Sequence, residues 1–138
     1  MSTVEQPPLS AAEDKLSQFA GKKHISLETY RKTGDLVRTP VWFVEENGEL
    51  FVRTDSDTGK IKRIRNNPRV RVAPCNMRGT VKGTWVDGEA RMIEPESSKQ
   101  IFSLLRKKYG MPYRLIRFAE RFSRSKSKPI GLAIRINS

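Results

Sequence analysis

Apolar and polar residues alternate along much of the chain with the period of two that sets one face of a strand against a core. The stretch 23–30 (KHISLETY) puts Ile25 and Leu27 on one face and predicts a strand. A polar turn, Lys32-Thr33-Gly34-Asp35, leads to a second predicted strand, 37–45 (VRTPVWFVE). Asn47-Gly48 follows, a strong short hairpin signal, and 50–54 (LFVRT) returns as a third strand. Further strands are predicted at 70–74 (VRVAP) and 129–136 (PIGLAIRI). The long run 80–93 (TVKGTWVDGEARMI) contains Gly83 and Gly88, and reads as one bent strand or two. Elsewhere the period lengthens to that of a helix. Helices are predicted at 11–19, capped by Ser10 with Glu13 at the capping-box position, and over one or two turns at 60–66, where Ile61 and Ile64 lie three apart. Two more are predicted at 95–109 and 112–122, broken at Gly110, before a basic linker at 123–128. Six to seven short, mostly hairpin-linked strands with flanking helices favour an α+β domain built on a small antiparallel barrel.

Length and charge narrow this reading. The 138 residues suit one domain, expected over 10–138, behind a loose tail at 1–9. The longest apolar run is 41–44 (VWFV), far short of the roughly 20 residues of a membrane span. The start has no basic head and no apolar core of a signal peptide, and the single Cys forms no internal disulfide, so a cytoplasmic location is expected. The net charge of +12 is concentrated. Residues 53–71 carry a net +5 and residues 99–128 a net +9, while 1–52 is slightly acidic. Two such segments point to a polyanionic partner, or else to a solvated face.

Three constellations carry chemistry. Pro40 lies inside a predicted strand but donates no ladder hydrogen bond, which suggests an edge strand or an edge turned toward a bound group. Arg53-Thr54, followed by Gly59-Lys60-Ile61-Lys62-Arg63, places a strand end and a glycine-led helix start among cations, a setting suited to a phosphate. Cys75-Asn76-Met77-Arg78 follows a strand, but the only imidazole, His24, has no visible tie to it. Cys75 is expected to be a small buried residue and His24 structural, with no metal site. No serine elbow, P-loop or dinucleotide fingerprint appears. Trp85, Tyr109, Tyr113, Phe118 and Phe122 are expected in the core or in dimer contacts more than as cofactor stackers. An enzyme built from these parts needs an organic cofactor for its chemistry.

Four stretches, RTPVWF (38–43), LFVRT (50–54), TGKIKRIRNNPRVRV (58–72) and GTWVDGEARMI (83–93), resemble in order and spacing the pyridoxamine 5′-phosphate oxidase-like family of flavin- and deazaflavin-binding proteins. The likeness covers roughly residues 22–136. It implies a split β-barrel and a twofold homodimer with two cofactor sites at the interface. The cofactor phosphate would lie against Arg53, Thr54, Lys60, Lys62 and Arg63. The ring system would lie along Arg38, Thr39, Pro40, Val41 and Trp42, approached by Cys75, Asn76 and Arg78, with Trp85 reaching the partner's site.

The family divides between FMN and the deazaflavin coenzyme F420, which adds a phosphodiester and several glutamates. The basic excess at 99–128 suits the longer polyanion, so F420 is expected ahead of FMN. The activity implied is hydride transfer between the deazaflavin and a small organic substrate. No catalytic side chain is assigned, and Tyr30, Tyr109 and Tyr113 qualify as proton donors by residue type alone. The alternatives are an FMN-dependent oxidoreductase, a cofactor carrier without turnover, and a nucleic-acid-binding barrel. Against the last, the aromatics do not interleave with the basic residues as on a stacking platform.

Overall fold

The computed structural model describes residues 11–112, 115 and 128–137. Helix α1 (Ala11–Leu16) runs into a 3-10 turn (Ser17–Phe19). Strands β1 (His24–Tyr30), β2 (Leu36–Trp42), β3 (Val44–Glu46) and β4 (Glu49–Asp55) follow, then α2 (Gly59–Asn66), β5 (Arg69–Cys75), β6 (Val86–Met92), α3 (Pro95–Tyr109) and β7 (Pro129–Ile136). The seven strands form one antiparallel sheet in the order β2-β1-β5-β6-β7-β4-β3. This is an α+β split barrel. The tail at 1–9 and most of the predicted helix 112–122, with Tyr113, Phe118 and Phe122, lie outside the described residues.

Two expectations need correction. The single strand predicted over 37–45 is two, because Phe43 leaves the ladder. Its amide donates to the Tyr109 hydroxyl (2.9 Å), and its carbonyl accepts from Lys108 Nζ (2.8 Å), so α3 supplies the partners a neighbouring strand would. β2 and β3 lie at opposite ends of the strand order yet are joined through this one residue, so the corner at Phe43 curls the sheet on itself. The run 80–93 keeps only β6 as strand. Residues 80–85 form a loop that touches the sheet through a Cys75–Val81 bridge and is pinned to the 3-10 turn by paired bonds between the Gln18 side-chain amide and the Thr84 backbone (both 2.8 Å).

The core follows the alternation. Ile25, Leu27, Val52, Val72, Leu132 and Ile134 fill the barrel, closed by Phe19 and by Ile61 and Ile64 of α2. A second cluster, Ile101 and Leu105 of α3 with Trp42, Val44 and Phe51, joins α3 to the outer face of the sheet.

Candidate functional site

β2 is an edge strand, bonded on one side to β1 with Pro40 opposite Ser26, as its proline predicts. Alternation splits its residues. Arg38, Pro40 and Trp42 face outward, while Thr39 and Val41 face inward, Val41 against the barrel core. The loop after β5 lies beside the edge, since a Cβ built on Gly79 (φ +89°) would stand 3.8 Å from Pro40 Cγ. Within that loop the Asn76 carboxamide oxygen accepts the amides of Arg78 and Thr80 (both 2.9 Å), and Arg78 is exposed. Cys75 is buried, which pushes its thiol pKa up.

The Trp42 ring stacks on Tyr109 (centroids 4.7 Å apart, planes 8° apart), and its indole N–H donates to His24 Nε2 (2.8 Å). Burial, then Lys23 and Lys108, lower the His24 pKa and keep that nitrogen an acceptor. His24 is thus structural, as expected, and Tyr109 serves as a core contact.

At the other predicted constellation, Thr54, Thr58, Gly59, Lys60 and Arg63 gather about the first turn of α2. Thr54 is buried, its hydroxyl 3.4 Å from that of Thr58. Thr58 donates back to the Asp55 carbonyl (2.9 Å) and makes no side-chain cap, which leaves the first-turn amides of α2 available to an anion. No acidic residue lies in that turn. Arg63 donates from Nε to Thr29 (2.7 Å) and lays its guanidinium over Gly59, where a Cβ would meet Nη1 at 2.7 Å. Burial first, then Arg63, lowers the Lys60 pKa, with Asp55 opposing. Two cations sharing a partly desolvated space suit an anionic ligand. Arg53 does not join them. It is adjacent to Thr54 on β4 and so points to the other face, where its guanidinium lies 5.3 Å from the Phe102 ring centre. Lys62 faces solvent. A hollow of about 520 Å³ near the β1–β2 turn has Arg31, Lys32 and Arg69 on its wall, with Asp87 the one acidic residue there among the described residues, and the Arg31 charge reaches Arg63.

Sequence reasoning missed Thr58, though a hydroxyl just before the glycine of a helix start was a signal for it. It also missed a cluster on the outer face. Glu28 of β1 is fully buried and accepts from Arg71 Nε (2.6 Å) and Nη2 (3.1 Å), Arg38 Nε (2.8 Å) and the Tyr30 hydroxyl (2.9 Å). Both guanidiniums also lie against Trp85, at 4.7 Å (Arg38) and 5.3 Å (Arg71) from its ring centre.

A family model described as pyridoxamine 5′-phosphate oxidase matches residues 12–136. The chain belongs to this family. No curated protein matches. Among solved structures of this fold, a conserved hypothetical protein of Mycobacterium tuberculosis is 20% identical, with a TM-score of 0.68 over 95% of this chain and 82% of that one. The heme storage protein HutZ of Vibrio cholerae is 16% identical, with a TM-score of 0.65 over 94% and 92%. An F420 reductase is 13% identical, with a TM-score of 0.58 over 89% and 93%. Among the described residues of this pyridoxamine 5′-phosphate oxidase family member, no helix is long and apolar enough to cross a membrane, and no group of three or more His, Cys, Asp or Glu is placed to hold a metal ion.

Proposed function

We propose that the chain is an oxidoreductase that binds a phosphorylated flavin-type cofactor, coenzyme F420 ahead of FMN, and transfers a hydride to or from a small organic substrate. The observation that carries this reading is the first turn of α2, where uncapped amides, Lys60 and the Arg63 guanidinium, beside the buried Thr54 hydroxyl, form a donor set matched to a phosphate. The β2 edge from Arg38 to Trp42 would flank the ring system, with the Cys75–Asn76–Arg78 loop beside Pro40 narrowing the approach. The bound ring supplies the two-electron chemistry, and the protein's part is to hold the phosphate, orient the ring and keep water from it. In this reading the chain works as a homodimer, with Trp85 turned toward the partner's site.

The preference for F420 rests on charge. A single phosphate is served by α2, yet residues 99–128 add a net +9, and Arg31, Lys32 and Arg69 extend the cationic surface beyond Arg63. FMN is the second reading, favoured by the compactness of the α2 cradle. The test is titration of the purified apoprotein with F420 and with FMN, followed by visible absorbance. F420 is expected to bind more tightly, and Lys60→Ala to weaken it by about tenfold or more, on the order of the loss of one charge-assisted contact. Tight FMN binding without F420 uptake would reverse the cofactor choice. An unchanged affinity in Lys60→Ala would remove the cradle.

A further inference from the structure

A groove of about 690 Å³ opens between α3 and the sheet, and none of its wall comes from α2 or β2. Its floor is apolar, formed by Phe51 of β4, Ile93 after β6, and Ile101 and Leu104 of α3. That size and lining suit a small ring-bearing molecule.

Its rim carries charge of a different balance from the rest of the chain. Arg91 is engaged by Glu49 through two bonds (2.5 and 3.2 Å). Glu46, at the β3–β4 hairpin, and Glu94, at the start of α3, are exposed and enter no ion pair among the described residues. Lys107 opposes them from α3. On a chain of net +12, this groove therefore offers more uncommitted carboxylate than ammonium over an apolar floor. Polyanions are disfavoured here, and a molecule with a greasy body and one positive end is favoured.

We propose that this groove binds a small organic cation, an aromatic or alicyclic body bearing an ammonium group, the body on Phe51, Ile93 and Leu104 and the charge toward Glu46 and Glu94. The inference goes beyond the cofactor reading and does not depend on it.

Dansylcadaverine, a fluorescent aromatic amine, is the probe. Titrated into the full chain, it should give a saturable emission increase with one site per chain. Ser97→Trp, at an exposed position on the groove wall, should weaken that binding by about tenfold or more. Glu46→Gln with Glu94→Gln, both at the surface and tolerable to the fold, should weaken it by several-fold, roughly the value of exposed charge contacts. Circular dichroism and melting confirm that each variant is folded. Saturating FMN or F420 should leave the amine affinity unchanged. No saturable binding, or affinity unmoved by Ser97→Trp, overturns the site. Weakening by Ser97→Trp but not by the paired glutamine variant overturns the choice of a cation. Displacement by the cofactor overturns the groove's independence.

Discussion

Glu28 has no exposed surface, yet it sits on a strand between two guanidiniums. Burial pushes its carboxyl pKa up, but hydrogen bonds from Arg71, Arg38 and Tyr30 outweigh that and leave it below the ordinary 4.5. A carboxyl depressed in the folded state adds stability that is complete above 4.5 and disappears as pH falls through its folded value. Glu28→Gln should therefore lower stability by about 2 kcal/mol near neutral pH, since it leaves Arg71 and Arg38 without their counter-charge. The gap in melting temperature between the two proteins should close as pH drops below 4.5. Lys108 gives a second check. Burial lowers its pKa to about 8, although Glu45 opposes. In the unfolded chain it would titrate near 10.5, so the unfolded state holds the proton longer and this residue adds stability as pH rises from about 8 toward 10.5. An NMR titration of its side chain should show a midpoint near 8, and the rise in stability should be missing in Lys108→Met.

The strands and helices follow from local pattern, but their ends and corners do not. Phe43 sits in an unbroken apolar run, and its corner is set by Tyr109 and Lys108, 66 and 65 positions along the chain. The Tyr109 hydroxyl accepts from the Phe43 amide and lies 2.6 Å from the carbonyls of both Phe43 and Lys23, donating to one of them. Burial raises its pKa to about 12. Between β6 and β7 the limit is space. A Cβ on Gly88 would lie 2.7 Å from the Arg135 carbonyl oxygen, a backbone atom that cannot swing aside. Gly88→Ala should cost about 1–3 kcal/mol by forcing the two strands apart, read as a lower midpoint in urea unfolding. Alternation within β4, by contrast, is local and legible in the sequence. Arg53 and Thr54 are neighbours, so a strand sends them to opposite faces.

For the whole molecule, the family and the split barrel were readable from four short stretches, because order and spacing survive where identity to other structures of the fold is 20% or less. The assembly follows from the cofactor reading. If the sites lie between two copies, light scattering should give twice the 15.8 kDa of one chain, and a monomer that still binds the cofactor would refute that arrangement. Periodicity, turn residues and the placement of charge are properties of neighbours along the chain, so the sequence alone determined the elements, the edge character of β2 and the cationic start of α2. The buried Glu28 cluster, the corner at Phe43 and the groove beneath α3 depend on groups distant in sequence. Only tertiary packing, which decides which desolvated atoms meet, could place them.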